Sequence, residues 1–555
     1  MNREAEPTET TRKPWKKLLA AAAFLACLLV LLCEVTDNNA DPDLFVYLLY
    51  GRQAVSAHAL PTADCFSYLP TKTPWVFHEW AASILFYEIF HHLGPEALQV
   101  LKYLLWALML ELLWFANRTR GVPLRFFLPF LLASFYLIAL AAAPVRIQIF
   151  SFVYLPLEIL LWESARKTGK KLFLALLPPL FLIWANTHAS FAFGLLVCLC
   201  YTADSALSSR QGKTDPASSG PGAYALTLAA CALVTLANPY GVSLLTNIVA
   251  HALDPEHQVS EWQSIWLAIS QGSVWQAAAF FGLAFSAALL SPFALRKDRP
   301  GLAITAGTAV MGFLHLRHIS LFALCAAVYL PLWLQELSRS HARLRNPLLI
   351  AALVALVFPL YCTAYSSIAS LRKTISDGSV LALITPSTQG LRPRRILYPL
   401  PAISFLAARG FTGNLCVSYD YAAFALWYLY PQCRTALDGR CENIFPKEVR
   451  KDFFDFISGF PNWREFLYRY PTDAILIRTG SLTSDRMEAD PGWARVYEDA
   501  LYTIFLRRNA KFAGLLRNRK NPEEGLPTAG WVRKNLPRPD SLGGPSLESP
   551  IQMGE

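Results

Sequence analysis

Residues 18–43 read LLAAAAFLACLLVLLCEVTDNNADPD, an unbroken apolar run from Leu18 to Cys33 followed closely by Asp37, Asp41 and Asp43. Arg12, Lys13, Lys16 and Lys17 precede the run, so it has the charge profile of a secretory signal. No small-x-small cleavage site follows it, and Leu32 rather than a small residue precedes Cys33. That pattern predicts an uncleaved helix over 18–35 with its N-terminus inside, delivering three aspartates to the outer face.

Working outward, the 555 residues are 54% hydrophobic, 13% aromatic and only 16% charged, with a mean hydropathy of +0.32. A soluble domain carries about 25% charged residues, so disordered, collagen-like and disulfide-scaffold classes are excluded and a polytopic α-helical membrane protein is expected. A span needs about 20 mainly apolar residues. By that measure eleven are expected, near 18–35, 98–116, 126–142, 147–164, 171–185, 188–203, 223–240, 274–295, 301–316, 319–336 and 347–366. The segment 79–93 is too short to span comfortably, carries Glu79, Glu88, His91 and His92, and is placed on the outer interface.

The net charge of +10 tests this topology. Eleven spans put twenty Lys and Arg residues inside, against Arg52, Lys72, Lys102, Arg146 and Arg317 outside up to residue 366. The positive-inside rule is satisfied, and the basic excess reads as an orientation signal, with no nucleic-acid partner. The expected organisation is a cytoplasmic segment 1–17, a membrane domain 18–366 with an acidic first outer loop 36–97, an extracytoplasmic domain 367–513 and a disordered tail 514–555.

Beyond residue 366 short strand-like runs (415–418, 434–437, 474–478, 503–507) alternate with helix-like segments (421–430, 447–458, 463–470), which predicts a small α/β domain. The cysteines show no metal-ligand spacing; Cys433 and Cys441 could pair in an oxidising compartment or stay as two thiols.

The unusual polar residues of the membrane part gather at outer ends of spans. They are Asp41 and Asp43, then His78 and Glu79, Arg146 and Gln148, Asn186 and His188, and Arg317 and His318. Ionisable groups at a membrane edge are costly, so function is their default explanation. The carboxylates could accept a proton from an acceptor hydroxyl or amine, or hold a divalent cation. Asp41 equally suits a helix N-cap, and Glu79 suits a helix dipole. The outside arginines fit lipid phosphate through forked, charge-assisted bonds, or ion pairs with Asp43 or Glu79. Asn186 and His188 could bind sugar hydroxyls or tie a hairpin, and Asn238-Pro239-Tyr240-Gly241 reads as a helix stop and turn.

This arrangement resembles the GT-C glycosyltransferases, such as protein O-mannosyltransferases and aminoarabinose transferases. The strings DPDLFVYLLYGRQ, PTADCFSYLPTKTPWVFHEW, RIQIF, WANTHASF, NPYG, SEWQ and RHISLFA, with SYDYAAFALWYL, ALDGR and WARVYEDALYTIFLRR, are similar to those of a bacterial GT-C-like membrane family over roughly residues 18–508. One departure is that Phe45, Val46 and Tyr47 follow the Asp-Leu pair where relatives carry aromatics and a His.

The resemblance implies a bacterial inner-membrane enzyme. It would transfer a sugar from a polyprenyl-phosphate donor to a glycan, lipid or protein acceptor outside. By position Asp43 is then the catalytic base, with Asp41 second. Arg146, Arg317 and His318 would neutralise the leaving phosphate, while His78, Glu79, Gln148, Asn186 and His188 would line the sugar or acceptor site. A non-catalytic scaffold for envelope polysaccharide and a lipid or solute transporter are the alternatives. A transporter would place charges deep inside several spans.

Overall fold

A computed structural model describes residues 30–36, 38, 40–212, 219–254, 260–340, 342–377 and 398–517. Most of the expected first span and most of the tail expected over 514–555 therefore lie outside the described residues.

Among the described residues six helices are long and apolar enough to cross a membrane: Pro95–Thr119, Leu124–Ala142, Phe191–Arg210, Val274–Leu295, Leu316–Ser338 and Asn346–Arg372. The other expected spans take different forms. Gln148–Thr168 is a 21-residue helix carrying Glu158, Glu163, Arg166 and Lys167, and Arg299–Leu314 has 16 residues. The run 171–187 breaks near Leu176, ahead of Pro178 and Pro179, because proline cannot donate to the preceding turn. The helix expected over 223–240 ends early, as Gly220–Val234, and a second helix that was not expected, Val242–Ala252, follows the turn. Between them Asn238 accepts from the Tyr240 N–H at 2.8 Å and donates to the Thr235 carbonyl at 2.7 Å, closing the turn. Ile319–Ser338 is buried over most of its length and packs against Leu124–Ala142 and Arg299–Leu314.

At the end of the bundle away from the C-terminal domain, buried charges tie these helices together. Arg120 bonds Asp298 and the Val328 carbonyl, and Glu163 lies 3.8 Å from it. Trp333 donates to Asp298 at 2.8 Å, and Tyr201 donates to Glu163 at 2.7 Å. Arg299 and Arg166 close on Asp204 at 2.8 and 3.5 Å. Every charge in this group has an opposite charge beside it, which is what burial of ions requires.

The C-terminal part is a five-stranded sheet in the order β2-β1-β3-β5-β4. The strands are β1 Gly413–Val417, β2 Cys433–Thr435, β3 Ala474–Arg478, β4 Trp493–Glu498 and β5 Tyr502–Arg507. β1 runs parallel to β2 and β3, whereas β5 is antiparallel to β3 and β4. β4 was not expected; its register slips between Arg495 and Tyr497, interrupting the alternation that marks a strand. The helix Lys447–Ser458 buries Val449, Phe453 and Phe456, a helical spacing, and ends at Gly459 with φ 65°, the left-handed cap glycine tolerates. Cys433 and Cys441 are buried free thiols.

The first loop completes this sheet's surroundings. Thr435 exchanges backbone bonds with Phe66 and Tyr68 at 3.0 and 3.1 Å, and Ser67 Oγ donates to the Ala436 carbonyl at 2.5 Å. Arg440 is buried against Asp64 and Asp438, both at 2.6 Å, and lies over Trp75. The helices Pro42–Ala57 and Trp80–Leu93 consequently share one apolar core with the sheet domain, for example Phe45 on Phe424 and Phe90 on Trp427.

Candidate active site

Between the sheet domain with its first-loop partners and the ends of the bundle helices lies a cavity of about 780 Å³. Its walls are set by local folding rules. Asp41 is the N-cap of Pro42–Ala57; its carboxylate accepts from the Asp43 N–H at 3.0 Å, and Pro42 occupies the first turn where no N–H is needed. With Asp41 spent partly on the cap, Asp43 turns into the cavity. The Asp438-Gly439-Arg440 turn comes so close that a side-chain carbon at Gly439 would sit 3.1 Å from Asp43 Oδ1, so glycine there keeps the carboxylate clear.

Arg146, just ahead of Gln148–Thr168, gathers three acids. It reaches Asp43 at 2.5 Å, Glu261 at 2.8 Å and Asp41 at 3.6 Å. Burial pushes the Asp41 carboxyl up against the pull of this guanidinium, while Arg146 draws Glu261 down. Arg146 is therefore an organiser of carboxylates, as the ion-pair alternative anticipated.

Glu79 precedes the helix Trp80–Leu93 and makes no capping bond. Its carboxyl lies 3.8 Å from His78 Nε2 and 3.7 Å from His188 Nε2. Burial, with Asp43 nearby, raises it to about 8, and burial with Arg317 nearby lowers His78 to about 4. Near neutral pH this trio therefore holds a protonated acid between neutral imidazoles. His188 is fixed from behind. Its Nδ1 lies 2.9 Å from Ser151 Oγ and 3.0 Å from Ser190 Oγ, and Trp184 Nε1 donates to both serines at 3.1 Å.

Across the cavity Arg317 stacks on Trp262, 4.4 Å from the ring centroid, with His318 beside the same ring at 5.9 Å. Among the described residues Arg317 has no carboxylate within ion-pair distance, so its guanidinium edge is open to an anion.

Nine of the ten residues singled out by sequence thus line one cavity: Asp41, Asp43, His78, Glu79, Arg146, Gln148, His188, Arg317 and His318. Asn186 does not. It accepts from Trp80 Nε1 at 3.1 Å and donates to the carbonyls of Leu182 and Ala237, fastening three helices on another surface. Asp420, Gly439 and Asn443 line the cavity from the C-terminal domain, though no role was assigned to them from sequence. For Asp420 and Gly439 the strings SYDYAAF and ALDGR were the available signal. Among the described residues no group of three or more His, Cys, Asp or Glu side chains is arranged to hold a metal ion.

No protein-family model and no curated protein matches this chain. Among solved structures it is similar to ArnT from Cupriavidus metallidurans bound to undecaprenyl phosphate, with 13% identity over 89% of this chain and 98% of that one and a TM-score of 0.48. A likeness of that degree leaves the chemistry of the site to be read from the chain's own residues.

Proposed function

We propose that this protein is a GT-C-like membrane glycosyltransferase that moves a sugar from a polyprenyl phosphate to an acceptor on the outer face. The observation that carries the reading is the meeting of Asp43 and Glu79 with the open guanidinium of Arg317 in one cavity beneath the sheet domain. In a single inverting displacement the acceptor oxygen attacks the anomeric carbon and the carbon–oxygen bond to phosphate breaks. Asp43 takes the acceptor's proton, and the departing phosphate keeps the electron pair, facing Arg317 and His318. Arg146 holds Asp43 in place and does not meet the phosphate. Protonated Glu79 and neutral His78 and His188 offer hydrogen bonds to the sugar.

The bundle's apolar exterior gives the lipid tail its surroundings, and the energy is that of the sugar–phosphate bond. Purified protein assayed against a panel of polyprenyl-phosphate sugars tests the reading. Product from wild type and none from Asp43→Asn is expected, and equal product from both would remove Asp43 as the base.

A further inference from the structure

Behind Arg317 lies a second cavity of about 280 Å³, which the proposed transfer does not use. It shares Gln148, Glu261 and Arg317 with the larger one, so the two adjoin. Its distinctive feature is amide chemistry: Gln148, Gln263, Gln271 and Gln276 all line it. Among the described residues none of these four side-chain amides has a hydrogen bond to protein. Each offers an acceptor oxygen and two donor hydrogens, and none carries charge.

The backbone beneath them is held. Gln263's carbonyl accepts from the Leu316 N–H at 3.0 Å, and the Gln271 N–H bonds the Leu267 and Ala268 carbonyls at 3.1 and 3.2 Å. Gln148 and Gln276 sit in the first turns of the helices Gln148–Thr168 and Val274–Lys297. Four neutral, unspent amides on four anchored backbone positions make one side polar, and Leu137, Leu140 and Ile319 supply an apolar side. A phosphate would be drawn to Arg317 and an ammonium to Glu261, the two charges shared with the larger cavity, and a bare hydrocarbon would strand the amides. Alternating hydroxyls on a ring with an apolar face match both walls.

We infer that this glutamine-lined chamber is a saccharide subsite, sized for one pyranose ring, that holds the carbohydrate of the acceptor beside Glu261 and Arg317. As the acceptor's place it rests on the transferase reading; as a saccharide site it does not.

The test is saturation-transfer NMR of the full chain in nanodiscs with methyl glucopyranoside, methyl mannopyranoside and methyl galactopyranoside at millimolar concentration. At least one glycoside is expected to receive saturation, with affinity weakened roughly tenfold by Gln276→Leu. Should that variant fail to fold, Gln271→Leu takes its place, since Gln271 is exposed and its side chain has no protein bond to lose. No transfer to any of the three, or transfer undiminished in the leucine variant, overturns the subsite. Binding retained in a protein without transferase turnover would remove the acceptor role and leave the saccharide site standing. Turnover with no effect of Gln276→Leu on binding or on acceptor KM would remove the site and leave the transferase.

Discussion

Arg120 and Arg146 are both arginines at helix ends, both held by carboxylates, yet they belong to opposite kinds of place. The Arg120 side chain is 2% exposed and its partners Asp298 and Glu163 are 2% and 10% exposed. Arg146 is 17% exposed, and its partners Asp43 and Glu261 are 30% and 39% exposed. In the first group Trp333 donates to Asp298 and Tyr201 donates to Glu163, with Tyr329 bonded in turn to Tyr201. The second has spare carboxylate oxygens facing a cavity, and a neighbouring guanidinium, Arg317, without an acid. The same residue types make a clamp where every group is answered and a site where some are left to meet a ligand.

The largest expected effect attacks the clamp. Arg120→Ala strands Asp298 and Glu163 without their cation and should cost about 3–5 kcal/mol of stability. Arg146→Ala, whose acids reach solvent, should cost only about 1–2 kcal/mol. Thermal unfolding in nanodiscs compares the two, and equal losses would abolish the distinction.

Asp43→Asn should act in the reverse sense. Turnover should fall by about 10²–10⁴ with the unfolding temperature held, and a stability loss without a rate loss would make the outer group a second clamp.

Glu79→Gln sharpens the contrast through pH. Unfolded, the carboxyl ionises near its ordinary 4.5, whereas folded it keeps its proton to about 8. Wild type therefore loses stability as pH rises between those values, and glutamine does not. The variant should be more stable than wild type at pH 8, by on the order of 4 kcal/mol, and level with it at pH 4.5. The smallest effect is expected for Arg317→Met. It should raise the donor's KM roughly tenfold, about 1.4 kcal/mol, with little change in stability because no ion pair is lost.

Much of the cavity was legible because polar side chains at the ends of apolar helices are rare and costly. His78, Glu79, Arg146 and Arg317 stood out for that reason and now face one another. Asn186 stood out equally and lies elsewhere, since a hydrogen-bonded helix fastener and a sugar ligand look the same in one dimension. Nothing in sequence said which acids Arg146 would choose, because Asp43 and Glu261 approach it only through the packing of distant segments. The glutamines at 263, 271 and 276 drew no notice, being ordinary residues for turns and first helical positions. In the sheet domain β3, buried on both faces, was plain from its apolar run Ala474–Ile477, while the bulged β4 was not. Helix count was least legible, because hydropathy alone runs through the break before Pro178 and carries the helix that ends at Val234 on towards residue 240.

The pairing of Phe66 and Tyr68 with Thr435 joins residues almost as far apart in the chain as Ser67 and Ala436, which are separated by 369 positions. At a synthesis rate of about 5–20 residues per second, the loop emerges roughly 20–70 s before its partner exists. During that interval Asp64 awaits Arg440, and the apolar faces of Phe66 and Trp75 await their cover. The cavity therefore cannot close before Arg440 has been made, and a nascent chain arrested before residue 430 would carry its membrane helices with an unfinished site.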